Sequence, residues 1–291
     1  MSMDSRSETI HSKSERRMDY TTANNPLSDP VILDILAHNQ DDTVLRRCVA
    51  INRSASPDTL DMLGGDQSVR VRLGVAHNPS IPISALTKLA SDTDWRVRSA
   101  VASRVPLPSS ISAILIQDED QNVRTTLASN SSIPVDVFAK LVDDHEWEVR
   151  YHSATNPLAT SEMLARLATD TSIYVQANVA RNEHASPDTL RHLAESQNTF
   201  VCQAIASSPF APPDALARLA TSDSWIIRKL VSENPSASPS TLEMLGSDPT
   251  RKVRYGVCTN QSTPRHVLVA LVSDKHPSIS HEASQRLADL T

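Results

Sequence analysis

The chain has 291 residues and a formal net charge of −6 at pH 7, which disfavours a protein that grips nucleic acid over its whole surface. Five glycines against 18 prolines disfavour glycine-rich phosphate loops and sheets, and favour short helices separated by proline. Three cysteines, without CxxC spacing, indicate neither a disulfide framework nor a metal site. We predict that Cys48, Cys202 and Cys258 are small core residues of a cytoplasmic protein.

The first 24 residues are polar, mixed in charge and rich in serine. Such a segment has too little apolar surface to fold, so the sequence predicts a disordered tail over residues 1–24. The segment lacks the apolar stretch of a signal peptide, and no run of about 18 uncharged apolar residues occurs elsewhere. We therefore expect no membrane segment.

From residue 25 onward the sequence repeats with a period of 26 residues, after a first repeat of 27. A leucine recurs at the same position of all ten repeats, from Leu36 to Leu271. The repeats begin at residues 25, 52, 78, 104, 130, 156, 182, 208, 234 and 260. We predict one repeat domain over residues 25–291, closed by a capping helix that contains Ala283, Leu287 and Leu290.

Each repeat predicts two short helices, A and B, because it carries two apolar stripes at helical spacing. Prolines such as Pro82 and Pro187 suit the first turn of helix A, and Ser68 and Asp94 suit the N-cap of helix B. The asparagine that begins most repeats, such as Asn78, suits a left-handed residue at the end of helix B. Since helices of about eight residues are unstable alone, the repeats must stack. The predicted fold is an all-α solenoid.

The repeat over residues 78–103, NPSIPISALTKLASDTDWRVRSAVAS, resembles the repeat of the leucine-rich repeat variant family. The shared pattern is Asn-Pro, Pro, Leu-x-x-Leu-Ala, Asp, Val-Arg and Val-Ala, and it extends over roughly residues 25–285. The resemblance implies a right-handed superhelix in which α-helices alternate with shorter helices, some of them 3₁₀. The iron–sulfur cluster that some members hold in a cysteine-rich N-terminal segment is not implied, because residues 1–24 contain no cysteine. We predict no cofactor and no metal.

A looser similarity to HEAT repeats lies in an aspartate followed six residues later by an arginine. In HEAT-like stacks these residues form a ladder, in which the arginine bridges an aspartate of a neighbouring layer and caps turn carbonyls. We assign this structural role to Asp66 and Arg72, Asp92 and Arg98, Asp118 and Arg124, Asp144 and Arg150, and Asp248 and Arg254. The pattern lapses at Gln176 and Cys202, where we predict a change of twist or a softer joint.

The candidate functional residues are aromatic side chains on helix B that should point away from its apolar stripe. They are Trp95, Trp147, Tyr151, Tyr174, Phe200, Trp225 and Tyr255. If helix B forms the inner layer, these rings line a concave surface, and clustered tryptophan and tyrosine are typical of binding hot spots. We predict a monomeric, non-enzymatic scaffold that binds an unidentified protein or peptide there. The other interpretation is that the rings only pack over neighbouring turns.

An alternative partner for the same face is nucleic acid. Arg70, Arg96 and Lys252 form a basic stripe that, with the aromatic rings, would hold an extended strand. Glu148 and the negative net charge disfavour this alternative. The sequence contains no phosphate-loop, dinucleotide-binding, nucleophile-elbow or zinc-protease motif, and the acidic and histidine side chains of residues 143–152 have irregular spacing. We therefore expect no enzymatic activity.

Overall fold

The computed structural model describes residues 15–290, and the regular structure in that part of the chain is entirely α-helical. Helix α1 covers residues 15–24. The helices that follow are α2 (Pro30–Ala37), α3 (Thr43–Ile51), α4 (Pro57–Leu63), α5 (Val69–His77), α6 (Ile83–Leu89), α7 (Trp95–Ala102), α8 (Ser109–Leu115), α9 (Gln121–Ala128), α10 (Val135–Leu141), α11 (Trp147–Thr155), α12 (Ser161–Leu167), α13 (Ile173–Val179), α14 (Pro187–Leu193), α15 (Thr199–Ser207), α16 (Pro213–Leu219), α17 (Trp225–Glu233), α18 (Pro239–Leu245), α19 (Arg251–Thr259), α20 (Arg265–Leu271) and α21 (Pro277–Asp289). The prediction of an all-α fold is confirmed.

The chain divides into two compact units, the first ending at Val137 and the second beginning at Phe138. Both contain the same repeat, in which an even-numbered helix (A) is followed by an odd-numbered helix (B). The prediction of tandem two-helix repeats is thus confirmed, whereas a single domain over residues 25–291 stays a prediction. At the C-terminal end, Ala283 is buried in α21 but Leu290 lies after that helix and is exposed.

The predicted disordered tail is wrong for residues 15–24, which form α1; residues 1–14 lie outside the described part. The helix is held by three groups. Ala23 is fully buried, the Tyr20 hydroxyl donates to a carboxylate oxygen of Asp42 at 2.6 Å, and Asn52 Nδ2 donates to the Ala23 carbonyl at 2.8 Å. The hydrogen bond to Asp42 raises the pKa of Tyr20 to about 12. A polar composition was a poor guide because α1 needs only a few inward-facing side chains.

Within each unit the B helices pack closely on one another, whereas the A helices make few contacts among themselves. The core lies between these two layers, where Leu89 of α6 and Val97 of α7 are fully buried. A stack whose two layers differ in spacing must curve towards the more closely spaced one. The B layer therefore lies on the inner side within each unit.

The helix starts show how the repeat sequence ends one element and begins the next. Pro187 and Pro239 are the first residues of α14 and α18, as predicted. Pro82 instead is the N-cap residue of α6, and Pro134 directly precedes α10, so proline one position earlier lies outside the first turn. The predicted N-cap Asp94 accepts a hydrogen bond from the Arg96 backbone N–H at 2.9 Å, which starts α7.

The expected 3₁₀ helices are absent from residues 15–290. Even a seven-residue A helix is closed by α-type bonds, from Leu60 N to Ser56 O at 2.9 Å and from Gly64 N to Leu60 O at 2.8 Å. Bonds between residues three apart occur at helix ends, as from Val71 N to Ser68 O at 3.0 Å. The same α-type bond forms where the N-cap residue is proline, from Leu86 N to Pro82 O at 3.0 Å.

The left-handed residue predicted at the end of helix B is also wrong. Asn78 has φ −68° and ψ 127°, an extended conformation, and no described residue has a positive φ. The hydrogen bonds of its side chain explain why asparagine recurs at this position of the repeat. Nδ2 donates to the carbonyls of Ala50 and Asn52 in the preceding layer, both at 2.8 Å, and Oδ1 accepts from Ser80 N at 2.8 Å. The side chain thereby satisfies three backbone groups between layers. The same three bonds are made by Asn52, Asn130, Asn182, Asn234 and Asn260.

Two repeats replace this asparagine and adjust to the loss. Arg104 Nη1 donates to the carbonyls of Ala76 and Asn78 at 2.8 and 3.0 Å. Arginine has no acceptor, but the residue two positions later is Pro106, which has no N–H to satisfy. Ser208 keeps one bond of each kind, donating to a carbonyl of the preceding layer at 2.5 Å and accepting a backbone N–H at 3.2 Å.

The ladder of arginine and aspartate joins successive layers in a register of 20 residues. Arg98 donates from Nε and Nη2 to the two carboxylate oxygens of Asp118 at 2.6 and 2.8 Å, and from Nη1 to the carbonyl of Asp92 at 2.8 Å. The pairs are Arg46–Asp66, Arg72–Asp92 and Arg98–Asp118 in the first unit, and Arg150–Asp170, Arg228–Asp248 and Arg254–Asp274 in the second. Arg124 donates to the carbonyls of Asp118 and Glu119, and Asp144 accepts from Glu146 N.

Where the ladder is interrupted, the arginine and the aspartate of a pair are both replaced. Gln176 stands at an arginine position, and the residue 20 positions later is Ser196 rather than aspartate. Gln176 still donates to the Asp170 carbonyl at 2.7 Å, and Ser196 Oγ accepts from Asn198 N at 3.1 Å. Cys202 and Ser222 repeat this double replacement. These helices lie inside the compact second unit, and the change of twist or softer joint at this point stays a prediction.

We expect acid to unfold the protein through its ladder carboxylates. Burial alone would raise the pKa of Asp66, but hydrogen bonds from Arg46 and Ser68 N outweigh it and lower that pKa; the hydrogen bond from Arg254 lowers the pKa of Asp274. A carboxylate whose pKa is lower in the folded state stabilises fully above its unfolded pKa of about 4 and progressively less as pH falls below it. The free energy of unfolding, from urea titrations followed by circular dichroism, should therefore fall between about pH 5 and pH 2.

The control for the acid effect is Asp274→Ser, which removes one such carboxylate and should make the pH dependence shallower. An unfolding free energy that stays constant over the same pH range would contradict this expectation.

Candidate binding surface

The candidate surface, which we call the B face, is the exposed side of the B helices. In α11, Val149 and Ser153 are buried in the core, which leaves Trp147 and Tyr151 on the outer side. Trp147 is fixed as the first residue of the helix because Asp144 Oδ1 accepts from the preceding backbone N–H, that of Glu146, at 2.9 Å. Similar turns precede other B helices, as where Asp92 accepts from Asp94 N and Asp248 accepts from Thr250 N.

Four of the predicted aromatic side chains form a continuous run across three successive B helices of the second unit. Trp147 and Tyr151 lie on α11, Tyr174 on α13 and Phe200 on α15. The ring centroids are 6.2 Å apart for Trp147 and Tyr151, 5.4 Å for Trp147 and Tyr174, and 5.6 Å for Tyr174 and Phe200. Tyr174 is 49% exposed, and Trp147 and Phe200 are each 39% exposed. The rings of this aromatic run thus stabilise one another while keeping a large apolar area in water.

A carboxylate without a partner lies in line with the aromatic run. Glu148 occupies in α11 the repeat position that Tyr174 and Phe200 occupy in α13 and α15. Its Oε2 is buried and accepts no hydrogen bond from any described residue. Such an oxygen is unusual in a folded protein and attracts a hydrogen-bond donor or a cation. His152, whose ring centroid is 5.3 Å from that of Tyr151, is not that cation, because burial lowers its pKa.

The other predicted aromatic residues lie apart from this run. In the second unit, the Lys252 ammonium is 4.7 Å from the ring centroid of Trp225, and the Tyr255 hydroxyl is 3.5 Å from an oxygen of Glu282. No ring contact joins Trp225 or Tyr255 to the aromatic run within residues 138–290. Trp95 belongs to the first unit. The sequence thus located all seven rings on the B face but did not indicate which four are in contact.

The predicted basic stripe is divided between the two units. Arg70 and Arg96 lie in the first unit and Lys252 in the second. Arg96 is paired with Asp94 at 2.6 Å, and Lys252 covers Trp225. Of the three, Arg70 alone makes neither an ion pair nor a ring contact with a described residue. The stripe therefore offers fewer free cations to a partner than the sequence indicates.

The sequence reasoning missed an apolar pocket in the first unit, between α3 and α5. The pocket has a volume of about 640 Å³, and its lining includes Arg70 together with Arg47, which was not predicted. The apolar part of the lining comes from Val44, Ile51 and Leu73. The candidate residues predicted from the sequence were tryptophan, tyrosine and phenylalanine, and none of these lines the pocket. The signal available in the sequence was a glycine inside a predicted B helix.

The remaining candidates for chemistry are buried or dispersed. The three cysteines are buried free thiols, as predicted, and burial raises the pKa of Cys258 to about 11. Among residues 15–290, no three histidine, cysteine, aspartate or glutamate side chains are grouped as metal ligands would be. No helix in this part of the chain is both long enough and apolar enough to cross a membrane.

Among solved structures, the chain is similar to a leucine-rich repeat variant described as having a novel repetitive structural motif. The two share 24% sequence identity and a TM-score of 0.60, over 76% of this chain and 87% of that chain. An engineered protein aligns over 96% of this chain and 95% of its own, with 16% identity and a TM-score of 0.35. No protein-family model matches the chain, and no curated protein matches its sequence. The chain therefore has the fold of the leucine-rich repeat variant, a stack of helical repeats, as its repeat sequence predicted.

Proposed function

We propose that this protein is a non-enzymatic scaffold that holds a protein or peptide segment on the B face of its second unit, across the aromatic run. The observation that carries the proposal is that Trp147, Tyr174 and Phe200, on three successive helices, form one contiguous apolar surface that remains between 39% and 49% exposed. Contiguous exposed aromatic side chains are typical of interaction sites, where they bury a large area at low entropic cost. A single exposed ring would carry no such meaning.

The chemistry around the aromatic run favours a peptide over a nucleic-acid strand. Glu148, in line with the rings and only partly buried, places a negative charge beside them, which favours a lysine or arginine side chain of the partner. The same carboxylate repels phosphate. On later B helices of the unit, Lys229 is paired to Glu233 at 2.6 Å and Lys252 lies over Trp225. The proposed partner is therefore a segment with apolar side chains and a cationic residue near Glu148.

We expect Tyr174→Ala to weaken partner binding by roughly tenfold or more, the size typical of a hot-spot residue. The protein should stay folded, because about half of this side chain is already in water. Partners are selected from a random peptide library displayed on phage against the full chain, and the affinity of each selected peptide is measured by fluorescence polarisation. Circular dichroism checks that the variant keeps its helices.

The matched control is Phe210→Ala, which removes a similarly exposed ring outside the helices of the same unit. It should leave the affinity of the same peptides unchanged. Peptides that bind wild type and Tyr174→Ala equally would contradict the proposal. If instead fluorescein-labelled single-stranded DNA bound, with an affinity that fell steeply with salt and required Tyr174, the partner would be nucleic acid.

A further inference from the structure

We propose a second binding site on the B face of the first unit, which takes an acidic peptide segment carrying a bulky apolar side chain. The site is the pocket of about 640 Å³ between α3 and α5, which we call the α3–α5 pocket. Its apolar lining residues are Val44, Ile51 and Leu73, and its basic lining residues are Arg47 and Arg70. It shares no residue with the aromatic run.

A glycine of α5 packs against α3 beside the pocket. A Cβ on Gly74 would lie 3.0 Å from the Ala50 Cβ and 3.2 Å from the Ile51 Cγ2, so glycine lets α5 approach α3 more closely than a residue with a side chain would. Val44 and Ile51 beside it are 57% and 43% exposed, which leaves an aliphatic surface in water. An apolar side chain that entered the pocket would cover this surface.

The two arginines that line the pocket determine which residues of the peptide can flank its apolar side chain. Arg47 and Arg70 are exposed, and neither makes an ion pair or a side-chain hydrogen bond with any other residue in the range 15–290. Their neighbours Arg46 and Arg72 are by contrast engaged with ladder aspartates. No lining residue is acidic. Two unneutralised guanidinium groups beside an apolar pocket complement carboxylates that flank an apolar residue.

The groove is longer than a compact ligand requires. His77 lines both the α3–α5 pocket and a second, shallower pocket, which continues between α5 and α7 to Trp95 and Ser99. The groove thus extends over three successive B helices, with an apolar lining between α3 and α5 and a mixed polar and apolar lining between α5 and α7. An amphipathic peptide laid along such a groove places side chains in it at intervals, whereas a fatty acid in so open a groove would leave its chain in water.

The test uses a fluorescein-labelled peptide of glutamate residues with leucine or phenylalanine at every third or fourth position, titrated into the full chain at low and moderate salt. We expect binding that weakens with salt. Arg47→Gln combined with Arg70→Gln should lower the affinity roughly tenfold and remove most of the salt dependence. Val44→Glu should lower it by at least as much, through lost apolar contact and charge repulsion.

The matched controls are Arg53→Gln and Val31→Glu, which change exposed residues of the first unit that do not line the pocket. Both should retain the wild-type affinity, as should Tyr174→Ala, which separates this site from the aromatic run. No binding of the acidic peptide at low salt would overturn the proposal, as would equal binding of a peptide with lysine in place of glutamate. Single-stranded DNA that bound in its place and needed the same arginines would also overturn it.

Discussion

Replacing Asn234 by alanine should destabilise the second unit by about 3 kcal/mol, because two buried carbonyls and one partly buried N–H lose their hydrogen-bond partner at once. Asn234 Nδ2 donates to the carbonyls of Ala206 and Ser208, both at 2.8 Å, and its Oδ1 accepts from Ser236 N at 2.9 Å. The side chain is 3% exposed, so water does not replace these bonds freely. Urea unfolding followed by far-ultraviolet circular dichroism measures the change.

The chain supplies the control for this prediction. Ser208 stands where the other repeats have asparagine, and it keeps one carbonyl bond and one N–H bond. Asn234→Ser should therefore destabilise by roughly half as much as Asn234→Ala. Equal losses for the two variants would show that the volume of the side chain matters and its hydrogen bonds do not. A loss below about 1 kcal/mol for alanine would remove the asparagine as a determinant of stacking.

The repeat itself was predictable because period and helical spacing are properties of sequence alone. A leucine in every repeat and capping residues at fixed positions predict two helices and a stack. The role of the asparagine was not predictable in the same way. A residue at the end of a helix fits a left-handed stop as well as a side-chain bridge to the preceding layer, and only the position of that layer distinguishes them. Asn78 makes the bridge, in an extended conformation.

The candidate site shows the same limit. The repeat positions of Trp147, Tyr174 and Phe200 placed all three on one face, and the structure brings them into contact. The ring contacts depend on the distance between successive layers, which cannot be predicted from the repeat positions alone. The pocket beside Gly74 was missed for a related reason, because its shape depends on how closely α3 and α5 approach each other.

The register of the arginine ladder could have been recognised in the sequence. Pairing each aspartate with the arginine six residues later leaves Asp170 and Arg228 without partners. Pairing each arginine with the aspartate 20 residues later leaves neither alone, and the structure has this register. In the same register Gln176 faces Ser196, so the two charges are lost together. The replacement of both residues indicates that either charge, left buried without the other, would destabilise the folded protein.

This indication yields the second large prediction, on Arg98 and Asp118, whose side chains are 10% and 5% exposed. Arg98→Gln alone should destabilise the first unit by about 3 kcal/mol, because Asp118 keeps a buried charge without its counterion. Asp118→Ser alone should do the same to Arg98. The double variant reproduces the pair found at Gln176 and Ser196, in which glutamine still binds a carbonyl and serine still accepts a backbone N–H. It should therefore be more stable than either single variant, and a double-mutant cycle from urea unfolding measures the coupling. Losses that simply add would mean that the two charges act independently, and the shared absence of both in the second unit would then have no energetic cause.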